Sequence, residues 1–255
     1  MAADFAGKVA LITGATSGIG LATAQELAAR GAARLLLVDL EAVRLDSVEI
    51  GGAELVRLPG DVTDEGFWNG VADQLRGIDL AVVNAGIATG GPITELSFEE
   101  WRRTLSVNLD GAFLTMRAVL RAMTAGGKPG AVVATASVSG LKAEPGTAAY
   151  GCSKAALIQL VRVAAKEAAA QGIRVNAIAP GGVTTPIWDG MAFFDGMVEQ
   201  FGSREAAFAE MAKMATPLGR YATPEEIARQ IAFLLSDDAA FITGAVLTSD
   251  GGYSL

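Results

Sequence analysis

A chain of 255 residues can bury a full core as one domain, 1–255, and this one is 51% hydrophobic with a net charge of −8. The acidic balance disfavours nucleic acid as a partner, since duplex binding rests on Lys and Arg neutralising phosphates, and no apolar run approaches the ~18 residues of a membrane span. Residues 1–8 lack the basic stretch and apolar region of a leader, which makes the cytoplasm the default location.

Residues 9–12 form the first of seven short apolar runs and lead into Thr13-Gly14-Ala15-Thr16-Ser17-Gly18-Ile19-Gly20, which opens a helical pattern over 17–30. Missing side chains let backbone approach a pyrophosphate there, with free amides and the positive end of the helix dipole facing the anion. The spacing Gly-x-x-x-Gly-x-Gly differs from the common dinucleotide fingerprint, and taken alone it also fits an ordinary tight turn. The run 35–38 ends at Asp39, nineteen residues after Gly20, where a carboxylate can accept hydrogen bonds from an adenosine ribose and repel a 2′-phosphate. Ser17 and Leu40 bring no positive charge to that place, which favours NAD over NADP; the alternative is a turn or helix-capping carboxylate.

The run 55–58 is followed by Asp61, which either addresses adenine or caps a helix expected over 63–75. After the run 80–83 a long helical pattern covers 98–123, and Asn108 inside it is locally unfavourable, which points to a buried polar role. The run 132–134 leads to Ser137 and Ser139. Either hydroxyl can orient a reacting oxygen, and the thirteen-residue spacing to Tyr150 favours Ser137.

Tyr150 and Lys154 lie four apart in the helical pattern 148–170, hence on one face. With no histidine in the chain, a Ser-His-Asp triad and histidine metal sites are excluded, and no metal is expected. The base must then be Tyr, Lys, Asp, Glu or the single Cys152, which cannot form an internal disulfide. A tyrosine ionises near pH ~10 unperturbed, and a neighbouring ammonium favours the phenolate. Glu144, six residues upstream, is either a pocket residue that binds a substrate hydroxyl or a solvated loop charge. Ala148, Ala149, Ala155, Ala156, Ala164, Ala165, Ala168 and Ala169 give the same helix a small-residue flank that suits packing against a second copy or against the core.

The run 175–178 precedes an apolar insertion, 186–216, that carries Trp188 and Met191 among other Trp, Phe and Met residues; these either wall a substrate pocket or pack the insertion onto the core. A helix over 224–235 and a last run at 246–248 complete an alternation of buried strands and crossover helices, a doubly wound α/β architecture.

From 8–14 to Asp250-Gly251-Gly252 the chain resembles the short-chain dehydrogenase/reductases. Besides the glycine turn and Tyr150-x-x-x-Lys154, the likeness rests on Asp61-Val62, Asn84-Ala85-Gly86, Asn108, Ser137, Arg174-Val175-Asn176 and Pro180-Gly181-Gly182-Val183-Thr184-Thr185. Val83 departs from it, standing where many relatives carry a second asparagine. The resemblance implies a Rossmann-type parallel seven-stranded sheet in the order 3-2-1-4-5-6-7 and a homo-oligomer, tetramer or dimer. It implies Tyr150 as general acid/base, Ser137 orienting the reacting oxygen, Lys154 on the nicotinamide ribose, and Asn108 holding a water that links Lys154 to solvent. Cofactor contacts are implied for Gly14, Thr16, Ser17, Gly18, Ile19 and Gly20, for Asp39, Leu40, Asp61 and Val62, and for Asn84, Ala85 and Gly86. Pro180, Gly181, Val183 and Thr185 follow, the last two at the carboxamide. The expected activity is NAD-dependent interconversion of a secondary alcohol and a ketone, with a bulky or cyclic apolar substrate near Ser139, Glu144, Trp188 and Met191. A 3-oxoacyl thioester reductase and a non-enzymatic NAD-binding sensor are the alternatives.

Overall fold

The computed structural model describes residues 4–255; residues 1–3, the start of the stretch read for a leader, lie outside it. Seven strands, β1 (Val9–Thr13), β2 (Arg34–Asp39), β3 (Glu54–Pro59), β4 (Leu80–Val83), β5 (Gly130–Thr135), β6 (Ile173–Pro180) and β7 (Val246–Ser249), form one sheet in the order β3-β2-β1-β4-β5-β6-β7. Every neighbouring pair is parallel, as the continuous apolar runs require when both faces are covered.

Alternate residues of each strand feed two separate cores. Leu11, Leu36, Val38, Val132 and Ala134 face one, while Ala10, Ile12, Leu35, Leu37, Ala131 and Val133 face the other. The first core is closed by α3 (Glu65–Gly70), α5 (Ala112–Gly126) and α6 (Ala148–Ala168), through Trp68, Met116, Val119, Leu157 and Val161. The second is closed by α1 (Gly18–Ala29), α2 (Ala42–Asp46) and α9 (Pro224–Leu235), through Leu27, Leu45, Ile227 and Ile231. Each fully buried aliphatic side chain here contributes ~1.5–3 kcal/mol relative to exposure. The sheet therefore works as a rigid floor between two helical layers.

Two expectations need correction. The helix expected over 63–75 is only α3, because Gly66, Asn69 and Gly70 are poor helix formers and its true cap is Asp64, which accepts from Gly66 N at 2.7 Å. The single helix expected over 98–123 is α4 (Phe98–Leu105), a π-helical turn (Ser106–Gly111) and then α5. The widened turn is stabilised from outside the helix, by the bonds of Asn108 described below. Of the small-residue flank, Ala149, Ala164, Ala165 and Ala168 are buried in this chain's own core, as the core-packing alternative has it, while Ala155 and Ala169 remain exposed. The insertion contains α7 (Ala192–Phe201) and α8 (Arg204–Ala215), packed as a third cluster around Phe194, Phe208 and Met211. No helix among the described residues is long and apolar enough to cross a membrane.

The Arg174-Val175-Asn176 motif belongs to the frame. Arg174 donates to the carbonyls of Leu234, Leu235 and Ser236 at the end of α9 (2.7, 3.1 and 2.9 Å). Fully buried Asn176 donates to Ile242 O (2.8 Å) and accepts from Ala245 N (3.0 Å), holding the turn into β7. Asn176→Ala leaves both backbone groups without a partner, and urea denaturation is expected to register a loss of about 2–4 kcal/mol; a loss below ~0.5 kcal/mol would contradict this account.

Candidate active site

In an open parallel sheet, ligands bind outside the carboxyl ends of the strands where the order reverses, here between β1 and β4. Thr13 at the end of β1 clamps that junction. Its hydroxyl accepts from Asn84 N (2.9 Å) and Ala85 N (3.0 Å), while Asn84 Nδ2 donates back to Thr13 O (3.1 Å). The glycine turn and the Asn84-Ala85-Gly86 turn are thus one unit.

The glycine turn suits a dinucleotide pyrophosphate. Ser17, before α1, forms no side-chain cap, so the first amides of the helix, those of Gly18, Ile19 and Gly20, have no acceptor within it. Gly14 and Gly18 have φ of +65° and +50°, and a Cβ on Gly20 would collide with the Gly14 carbonyl oxygen. Across the cleft, a Cβ on Gly18 would stand 3.2 Å from Thr185 Cγ2, so the segment after β6 faces the turn. Pro180 closes β6, Gly181 N donates to Ser249 O (3.0 Å), and Val183 is buried and bridged to Ala222.

Asp39 meets the glycine turn rather than capping α2. One of its oxygens accepts from Thr16 N (3.0 Å) and Thr16 Oγ1 (2.8 Å), and the other accepts from Leu40 N (2.8 Å). Asp61 caps no helix: it is exposed and accepts from the amide and hydroxyl of Thr63, both at 2.8 Å. Val62 turns inward, against Gly111 of the π turn.

The four residues of the catalytic reading lie around the end of β5. Ser137 follows it and accepts from Ser139 N (3.1 Å), and bare Gly140 lets this loop touch the backbone of α6 at Lys154. Lys154, 4% exposed, donates to Thr135 O (2.8 Å), with its Nζ 5.7 Å from the centre of the Tyr150 ring. Asn108 is fully buried in the π turn, where Oδ1 accepts from Ile87 N (2.8 Å) and Nδ2 donates to Ile87 O (2.9 Å) and Ser153 Oγ (3.1 Å). Ser153 in turn donates to Tyr150 O (2.7 Å). A Cβ on Gly86 would stand 3.2 Å from Asn108 Oδ1 and 3.4 Å from Lys154 Nζ, so both polar groups lie close against this turn. The amide of Asn108 is therefore directed at Ile87 and Ser153, and Lys154 at Thr135.

The electrostatics differ from the expectation built on Tyr150 and Lys154 alone. Burial pushes the Tyr150 phenol above its ordinary value, and a hydrogen bond with the Ser137 hydroxyl pulls the other way. Burial also lowers the Lys154 ammonium to about 8. At the phenol the cost of burial outweighs the help of the Ser137 hydrogen bond.

On the substrate side, Trp188 donates to Val183 O (2.8 Å), stacks on Tyr221 at 5.9 Å and, with Met191, joins the third cluster. Ile187, Phe193 and Met214 remain exposed. Glu144 is not a free loop charge: hydrogen bonds from Tyr253 and Lys142 hold its carboxyl below the usual range. Sequence patterns missed Thr13, Ile87, Thr135 and Ser153 as parts of the site. Ser153 alone left a signal, a hydroxyl on the same helical face as Leu157 and Val161.

Known proteins resemble this chain over nearly its whole length. A family sequence model described as "Enoyl-(Acyl carrier protein) reductase" matches residues 14–254. The chain is 38% identical over 262 residues to the cis-4-hydroxycyclohexanecarboxylate dehydrogenase of Sinomonas cyclohexanicum, an alignment covering 100% of this chain and 99% of that one. It is 40% identical over 256 residues to the L-tagatose-forming galactitol 2-dehydrogenase of Cereibacter sphaeroides, covering 98% and 96% respectively. Among solved structures, a levodione reductase matches with a TM-score of 0.86 at 37% identity, covering 98% of each chain.

Thr13→Val preserves the shape of a fully buried side chain while removing the acceptor of two amides. A destabilisation of about 1–3 kcal/mol is expected in chemical denaturation, together with weaker dinucleotide binding by fluorescence titration. Wild-type values for both would refute the clamp.

Proposed function

The chain belongs to the short-chain dehydrogenase/reductase family, and on that premise we propose that it interconverts a secondary alcohol and a ketone with NAD as its dinucleotide. The observation that carries the reading is that Ser137, Tyr150 and Lys154 meet at one strand end, joined through Gly86 and Thr13 to a glycine turn with uncapped helix amides.

When bound, NAD supplies the hydride acceptor and, at its oxidised ring, a positive charge that favours the phenolate. The turn Gly14–Gly20 would hold the pyrophosphate through backbone amides. Asp39, braced on Thr16, would accept from the adenosine ribose and repel a 2′-phosphate. Lys154 would bind the nicotinamide ribose, and Val183 and Thr185 would hold the carboxamide. In alcohol oxidation Ser137 Oγ holds the substrate oxygen, and Tyr150 Oη takes the hydroxyl proton as the carbinol hydrogen departs as hydride. In ketone reduction Tyr150 returns that proton. Asn108 acts through Ser153, keeping the first turn of α6 in place.

A cyclic or bulky apolar alcohol is the proposed substrate class. The exposed Ile187, Phe193 and Met214 of the insertion support it, as does the relative that acts on a hydroxycyclohexane carboxylate. A turnover panel with NAD+ and NADP+, setting cycloalkanols, terpenoid, steroid and aryl alcohols against galactitol and short polyols, decides it. Preference for polyols rejects the apolar class, and a higher kcat/KM with NADP+ rejects the cofactor assignment.

Tyr150→Phe is expected to reduce kcat by at least ~10³-fold while the Kd for NAD stays within a few-fold, since the phenol's burden is proton transfer. Near-wild-type turnover would remove Tyr150 from the mechanism. Because burial keeps the phenol protonated and oxidation needs the phenolate, kcat/KM for the alcohol is expected to rise with pH between 6 and 9. A flat profile across that range speaks against a titrating base.

A further inference from the structure

The tail beyond β7 is bonded on two sides. Within it, Asp250 accepts from Gly252 N (3.0 Å) and Ser254 N (2.8 Å), and Tyr253 N donates to Asp250 O (3.2 Å), so the turn is closed on itself. Gly251 and Gly252, at φ +61° and +90°, lie against Thr216 and Pro217, and Leu218 N donates to Gly251 O (3.1 Å). That contact is the exit of the 186–216 insertion.

On its other side the tail meets the loop that enters α6. Lys142 Nζ donates to Tyr253 O (3.1 Å), lies 4.3 Å from the centre of the Tyr253 ring, and pairs with Glu144 at 3.2 Å. The Glu144 carbonyl accepts from Thr147 N (3.3 Å) and Thr147 Oγ1 (2.8 Å), and Thr147 O accepts from Gly151 N (2.6 Å) in the first turn of α6, next to Tyr150. An unbroken series of bonds therefore runs from the insertion, through residues 250–254, to the residue beside the proposed base.

We propose that residues 250–254 form a strap joining the insertion to the loop 141–147, and that Tyr253 is a positioning residue that sets the width of the substrate side of the site. An unattached tail would leave the loop 141–147 free to shift against the insertion, and the two walls of the cleft would no longer be held at one distance. The specificity half of the proposal rests on the dehydrogenase reading; the strap itself does not.

The test uses the full chain and compares wild type with Tyr253→Ala, Tyr253→Phe and Lys142→Met. Tyr253→Phe keeps the ring over Lys142 and the backbone acceptor, so it gives an intermediate that folds even if the alanine variant does not. Amide exchange at residues 141–151 is expected to accelerate about tenfold in Tyr253→Ala and Lys142→Met, and less in Tyr253→Phe. The KM for the best alcohol of the panel is expected to rise about fivefold or more, with kcat within about twofold, the Kd for NAD unchanged, and discrimination between bulky and small alcohols flattened. Unchanged exchange at 141–151 overturns the strap. Faster exchange with wild-type KM and selectivity overturns the positioning role. If the wild type turns over no alcohol with either dinucleotide, the dehydrogenase reading fails and with it the specificity half, while exchange still decides the strap.

Discussion

The site depends on a lysine ammonium taken out of water and aimed at one carbonyl. Lys154 reaches from α6 to Thr135 O at the end of β5, and in doing so fixes the helix that carries Tyr150 to the strand that carries Ser137. Burying a cation is costly unless it is hydrogen-bonded, and burial accordingly lowers the Lys154 pKa to about 8. Much of the local structure makes room for it. Gly86 lies beside its Nζ, Gly140 lets the loop after β5 close on the α6 backbone at Lys154, and Asn108 and Ser153 satisfy one another and Ile87 rather than competing for its donors.

The parallel sheet makes such a meeting point natural. Every strand runs the same way, so the ends of β1, β4, β5 and β6 lie on one edge, and each delivers its next few residues to the same cleft. At that edge the chain uses backbone more than side chains: uncapped amides at α1, a threonine hydroxyl gathering two amides, a carbonyl receiving the lysine. Groups held by the sheet cannot drift without breaking ladder bonds, which is the rigidity that proton and hydride transfer demand.

The legibility of these features in the residue pattern follows from their physical origin. Strands buried on both faces must be apolar throughout, so all seven could be located and only their ends shifted by a residue or two. α3 was over-read because an amphipathic spacing continues past Gly66 and Gly70, residues that do not sustain a helix. The π turn left no mark, since no propensity separates it from α-helix; only the misplaced polarity of Asn108 hinted that something inside required it. Tyr150 and Lys154 could be paired by their spacing, but spacing carries charge and not solvation, so the part burial plays at the phenol was not legible there. Thr135 and Ile87 act through backbone atoms that every residue type possesses, on partners about twenty residues away, and Thr13 acts through its hydroxyl on amides about seventy residues away, a distance no local pattern spans.

The two halves of the cleft are built differently, and the difference bears on what can vary. The dinucleotide half is made from strand ends and shares its packing with the two main cores, so a change there disturbs the frame. The proposed substrate half rests on a third cluster, Phe194, Phe208 and Met211 with Trp188 and Tyr221, whose attachments to the rest include Trp188 on Val183, Tyr221 on Gly182, Thr185 on Gly18 and the tail on Leu218. A unit with its own small core and few attachments can be repacked without altering the floor beneath it. Relatives that share the fold and differ between a cyclohexane carboxylate and a hexitol are what such a division of labour permits. In the proposed function, the sheet sets the chemistry and the fastening of the separately packed module sets the choice of alcohol.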